Sequence, residues 1–255
     1  MHEHCCERGT IVSSTTSLAD SIYNFRVENG RTYHRYKDGK YSYPNDERES
    51  DGLESRVPPN VTYEVDDIAE PRTFSLPFDY IHSRMITSSI SDWRRLIQNA
   101  FDNLTPGRYL ELQEMDLMPQ SDDGSLKPDA AIVRCFALLG KAATALNRSF
   151  QDIPDLVNVM KDIGFVDVSI KKVKWPTNTW PKEQHYKLLG EWAHENCMSG
   201  IEGWTMAPLT RGLGWSKQEV EVFLIELLKE FKDRSIHAYW PCYGLYGRKP
   251  EATCR

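Results

Sequence analysis

The sequence predicts an α/β domain, a sheet with helices packed on its faces. Two observations carry that reading. Short alternating segments at 61–65, 78–81, 109–113, 166–170 and 239–246 read as strands. Between them lie stretches with apolar residues at three- and four-residue spacing, which read as amphipathic helices. Strands alternating with helices imply a largely parallel sheet.

The elements follow in order. Residues 1–17 are polar and rich in Ser and Thr, and are expected to be a disordered tail. His2, His4, Cys5 and Cys6 are metal-ligand types there, but a mobile tail makes them incidental, and no metal is expected. Residues 18–56 form an expected N-terminal cover; its stretch 28–41 holds tyrosines 33, 36 and 41 and the glycine turns at Gly30 and Gly39, which reads as loop-rich. The domain proper is expected over 57–255. Its first helix shows Trp93, Leu96, Ile97, Ala100, Phe101 and Leu104 on one face, with Ser91 or Asp92 able to cap it and Pro106-Gly107 expected to stop it. A second helix runs from near Pro128 to Leu146, and a third from Asp152 to Gly164. A fourth carries Tyr186, Leu189, Trp192 and Ala193. The last opens on Ser216-Lys217-Gln218-Glu219, a capping box, and is expected to bury Val220, Phe223, Leu224, Leu227, Leu228 and Phe231. In the closing strand Pro241 lacks an N–H for a ladder, which argues for an edge or an irregularity.

Composition bounds the function. The net charge is −6, so nothing favours a nucleic acid or an acidic membrane as partner. The six cysteines form no C-x-x-C pair and match no zinc or disulfide framework. Scattered cysteines, a polar N-terminus without an apolar run and no long apolar stretch point to a reducing compartment, cytosol or nucleus. No G-x-S-x-G elbow marks a serine nucleophile.

Ordered blocks then carry a family resemblance. Glu28-Asn29-Gly30-Arg31 with Tyr33-His34 and Pro44-Asn45-Asp46-Glu47 resembles the N-terminal signature of fungal LaeA-like class I methyltransferases, which use S-adenosylmethionine. Val57-Pro58-Pro59-Asn60 leading to Glu64-Val65-Asp66-Asp67 resembles their third strand and acidic turn. Phe78-Asp79-Tyr80-Ile81-His82-Ser83-Arg84-Met85 resembles the fourth strand, and Leu110-Glu111-Leu112-Gln113-Glu114 the fifth. Gly164-Phe165-Val166-Asp167-Val168 and Tyr246-Gly247-Arg248-Lys249-Pro250 also fit.

The departure from the family is equally specific. Class I methyltransferases hold the cofactor on a glycine-rich turn after the first, mid-sheet strand, where a side chain would block the close approach of ligand to backbone. Here Asp51-Gly52-Leu53 runs almost directly into Glu54-Ser55-Arg56-Val57, and no G-x-G-x-x-G occurs anywhere. The expected fold is therefore a truncated class I, Rossmann-like sheet with flanking helices, lacking the first two strands. Without them the third strand has to pair differently or leave an open edge.

The resemblance implies S-adenosylmethionine as cofactor and a small-molecule substrate or intermediate. Cofactor contacts are expected from Asp66, Asp67 and Ser83, and from Tyr33 and His34 in the cover. His82 lies just past a strand's carboxyl end, where doubly wound sheets bind ligands, and is expected as general base. The tryptophans at 175, 180, 192, 204, 215 and 240 read first as core, second as a pocket for a flat apolar molecule. Two functions compete: methyl transfer to a small molecule in fungal secondary metabolism, or a non-catalytic accessory that binds a pathway intermediate or enzyme, with a LaeA-type regulator as a variant.

Overall fold

The computed structural model describes residues 25–34, 68 and 75–252. The chain divides into two compact units, Met1–Val57 and Pro58–Arg255. The expected strand at 61–65 and the acidic turn at Asp66-Asp67 lie outside the described residues.

In the first unit, β1 (Phe25–Glu28) and β2 (Arg31–His34) form an antiparallel hairpin. The cover was expected to be loop there. Asn29 and Gly30 both take positive φ, 53° and 85°, as a two-residue turn between twisted strands requires. The Asn-Gly pair is thus the residue signal for a hairpin that the loop reading passed over.

The second unit is built on a four-stranded sheet in the order β3-β4-β6-β5. Its strands are β3 (Phe78–Arg84), β4 (Leu104–Met115), β5 (Val166–Pro176) and β6 (Tyr239–Arg248). The helices are α1 (Trp93–Asn103), α2 (Ala131–Ala145), α3 (Leu156–Ile163), α4 (Gln184–Ala207) and α5 (Lys217–Lys232). This is an α/β sheet with flanking helices, as the sequence implies, with one correction. Among the described strands of this sheet only β3 and β4 pair parallel; β6 is antiparallel to both β4 and β5. Two helices, α4 and α5, separate β5 from β6 and bring the chain back to the end of the sheet it left. Pro176 pairs with Tyr239, and the Thr177 amide donates to the Ala238 carbonyl at 3.1 Å. A strand that starts beside the end of its predecessor has to run the other way.

Of the two readings of Pro241, the irregularity holds and the edge does not, since β6 is an internal strand. The proline is tolerated because the ladder to β4 ends at Met115–Cys242, so Pro241 needs only its carbonyl there, which accepts the Asp116 amide at 2.8 Å.

A second correction concerns Pro106-Gly107, which do not stop α1. Asp92 opens that helix by accepting from the Arg95 amide at 2.9 Å, and β4 begins directly after Asn103. The Lys249 ammonium closes it, donating to the carbonyls of Phe101 at 2.7 Å and Leu104 at 2.8 Å. Pro106 and Gly107 instead sit in a bulge, between the pairs Phe78–Leu104 and Tyr80–Tyr109.

Two apolar cores hold the unit together. On one sheet face α1 and α3 pack Ile97, Ala100, Leu156 and Met160 against Leu110, Leu112 and Leu245. The second joins α2, α4 and α5 through Phe136, Ile201, Leu227 and Phe231 around Trp240. Of the six C-terminal tryptophans Trp240 is core, Trp204 and Trp215 pack partly buried against that core, and Trp192 is 68% exposed. None of them lines the cavity described below. At Gly190 an added Cβ would collide with the Asn178 carbonyl, so α4 packs at that distance only through glycine.

Candidate functional site

The carboxyl end of β3 and its neighbour β4 gather the described polar groups that sequence reading singled out in this unit. Strand alternation divides them between two faces. Ile81 and Ser83 turn toward α1, alongside Leu110 and Leu112 of β4. Tyr80 and His82 turn to the opposite, open face. Their rings stack with centroids 6.2 Å apart, and the Tyr80 hydroxyl donates to the Glu111 carboxylate. His82 and Ser83, adjacent in sequence, therefore address opposite sides of the sheet.

On the open face Glu111 also accepts from Gln113 Nε2 at 2.8 Å. The bond from Tyr80, then that from Gln113, together with the nearby His82, hold the Glu111 carboxyl below the usual carboxylate range. The same bond, with some desolvation and the Glu111 charge, pushes the Tyr80 phenol up to about 12. Glu111 is thus an ionised acceptor at neutral pH. Tyr80, Tyr109 and Tyr246 are 52%, 41% and 45% exposed around it.

On the α1 side the organising group is Glu114, the last inward residue of β4 and 1% exposed. Its Oε2 accepts from the Ile86 amide at 3.0 Å, the Thr87 amide at 3.1 Å and the Thr87 hydroxyl at 2.7 Å, and its Oε1 lies 3.5 Å from Ser83 Oγ. These bonds fix the turn after β3, whose pivot Met85 has φ 56°, a left-handed conformation costly for a residue with a side chain. Burial outweighs the four donors and raises the Glu114 pKa. Sequence reading missed this residue. The available signal was parity: position 114 continues the inward row of Leu110 and Leu112, so a carboxylate there has to be buried.

Beside this turn a cavity of about 270 Å³ opens between α1, β3 and β4. Ile81, Leu96, Ile97, Ala100, Leu110 and Leu112 line it with Ile68, Ile86 and Ser83, and the strand end at His82 and Arg84 borders it.

The remaining expected site residues fall elsewhere. Tyr33 is buried on β2 of the first unit, and His34 ends that strand opposite Phe25. Asp66 and Asp67 are outside the described residues.

The fit of S-adenosylmethionine can be tested on the glycines. A cradle needs a glycine turn between the carboxyl end of a strand and a helix. Among the described residues the positive-φ glycines are Gly30 in the hairpin, Gly107 in the β4 bulge, Gly124 in the loop after β4, Gly164 capping α3 and Gly214 before α5. Gly124 alone of these lies between a strand and the next helix, and it stands in the long loop from β4 to α2, not in a tight turn joining them. The described residues do not fit the family's cofactor.

Comparison with known proteins gives the lineage. A family model described as "Methyltransferase domain" matches residues 24–170. The chain is 28% identical to methyltransferase pytC of Aspergillus terreus, over 93% of this chain and 92% of that protein. It is 34% identical to "Probable methyltransferase tdiE" of Emericella nidulans, over 76% of this chain and 61% of that one. It is 25% identical to the secondary metabolism regulator laeA of Aspergillus fumigatus, over 95% and 81%. The pytC alignment runs over 298 positions against the 255 residues here, so that relative carries residues this chain lacks. Among solved structures, phosphoethanolamine N-methyltransferase 2 of Haemonchus contortus in complex with S-adenosyl-L-methionine is similar at 13% identity and a TM-score of 0.38, over 72% of this chain and 36% of that one. The chain belongs to the methyltransferase-domain family and is similar to its members from fungal secondary metabolism.

Proposed function

We propose that this chain serves fungal secondary metabolism as a methyltransferase-like protein whose cofactor site is degenerate. The family's activity is methyl transfer from S-adenosylmethionine to a small molecule. In this reading the chain retains the fourth-strand and fifth-strand side of that fold and works as an accessory, binding a pathway intermediate or a pathway enzyme in the cytosol or nucleus. The observation that carries the reading is the junction from Asp51-Gly52-Leu53 to Glu54-Ser55-Arg56, where the first strand and its glycine turn would stand. Methyl transfer is chiefly a positioning task, in which the sulfonium must be held in line with the accepting atom. A chain without the turn that grips the cofactor loses that alignment first.

Deleting the gene in the producing organism tests this. An accessory role predicts a changed ratio of pathway products, each with its full set of methyl groups. Accumulation of a product one methyl group short would contradict it. The similarity to laeA supports a regulatory variant, which predicts loss of several unrelated product families together.

A further inference from the structure

We infer that the open sheet face at Gly244 binds a planar aromatic carboxylate, its charge held by Arg84 and Lys171 above the glycine and its ring laid against Tyr246. This deepens the proposed function by naming the class of intermediate, and it rests on that reading only for the ligand's place in a pathway. The first observation is register. Arg84 pairs with Gln113, Gln113 with Gly244, and Gly244 with Lys171, so the four form one row across β3, β4, β6 and β5. Directly paired residues share a face of the sheet. Glu111 and Tyr246 pair in the next row of the same face.

The second observation is space. A Cβ at Gly244 would meet no described atom within 4 Å, and the residue has no left-handed φ, so neither packing nor a turn requires a glycine there. The same face is covered at its other end, where Trp240 and Met115 join the core of α2, α4 and α5, and Cys242 next to them is half-buried. Gly244 is thus the first bare step of the sheet below that bundle. A glycine inside a strand lets a ligand approach the backbone closely. One step further on, Tyr246 is 45% exposed and offers its ring to a flat molecule.

The third observation is charge. Arg84 and Lys171 are exposed and make no hydrogen bond or ion pair among the described residues. Lys171 flanks the glycine directly, and Arg84 stands two strands away, about 10 Å. The Arg84 side chain leans inward: burial pushes the Cys242 thiol up to about 12, and the Arg84 charge acts on it in the opposite direction. A planar guanidinium matches a carboxylate with two parallel bonds. The ionised Glu111 in the next row repels a second anion, so the ligand carries one negative charge and points it toward Gly244.

The probe is 2-naphthoate, titrated against the full-length protein at low salt and followed by calorimetry. Saturable one-to-one binding is expected, and it should weaken as salt is added, because the groups that pair with the ligand are exposed. The neutral 2-naphthol, with the same rings, should bind about tenfold more weakly. Gly244→Leu places a side chain where the ligand would lie and touches no neighbour, so it should abolish binding and leave the circular dichroism spectrum unchanged. Arg84→Gln and Lys171→Gln should each weaken binding about fivefold, and they decide the matter should the Gly244 variant fold poorly. Absence of saturable binding to the unaltered chain overturns the inference. So does binding that survives Gly244→Leu, that neither cation variant weakens, or that 2-naphthol matches. A hexaglutamate peptide that binds where 2-naphthoate does not would also overturn it, because the occupant is then an acidic protein segment. Titration of S-adenosylmethionine into the same samples separates the two readings. Binding of both ligands keeps this inference and sinks the degenerate-cofactor reading, and binding of neither does the reverse.

Discussion

Glu114 concentrates the residue-scale physics. A carboxylate taken out of water costs several kcal/mol unless donors replace the lost solvent, and here four donors do so incompletely. Glutamine has the same shape. Its carbonyl can take the three bonds now on Oε2 while its amide donates to Ser83. Glu114→Gln is therefore expected to be neutral to mildly stabilising, whereas Glu114→Ala leaves two buried amides unpaired and should cost about 2–4 kcal/mol in urea denaturation. The pH dependence has a definite sign. A carboxyl whose folded pKa lies above its unfolded value favours the folded state at low pH, and that contribution is lost as pH rises through the folded pKa. The stability of the unaltered chain relative to Glu114→Gln should fall from acid toward neutral pH. A difference that is flat, or that rises, would show that the hydrogen bonds outweigh burial.

At the scale of elements, short segments of sequence accomplish specific tasks. The Ser216–Glu219 capping box forms as its spacing implies: the Ser216 amide donates to Glu219 at 2.7 Å, and the Glu219 amide to the Ser216 hydroxyl at 3.3 Å. Ser216→Ala should cost about 1 kcal/mol. The closing run Tyr246 to Lys249 acquires a physical reason. A Cβ at Gly247 would lie 2.7 Å from the end of Met160, Arg248 pairs with Asp167 at 2.7 Å, and Lys249 closes α1. Lys249→Met should destabilise the chain by about 1–2 kcal/mol and speed hydrogen exchange in the last turn of α1. Much of this scale was legible in sequence, because periodicity and caps are local: the apolar stripe of α1 and the glycine ending α3 stand where the residues imply. The misreadings share one cause. Pro106-Gly107 reads as a stop and Pro241 as an edge only when their partners across the sheet are unknown. The direction of β6 likewise depends on how α4 and α5 pack, not on any residue in β6.

The whole molecule poses the question of what the described sheet and its helices can do. Four strands with two apolar cores are enough for a packed unit, and the open face around Glu111 bears three exposed tyrosines. The family was legible because its blocks stand in order along the sequence. The space beside α1 was not, because periodicity within one element does not show how three consecutive elements pack. Titration calorimetry of the folded full-length protein with S-adenosylmethionine tests the account most directly, with circular dichroism confirming the fold in the same sample. The account predicts no saturable heat up to millimolar cofactor. One-to-one binding in the micromolar range would contradict it, and would mean that this chain grips the sulfonium nucleoside without the glycine turn on which its family relies.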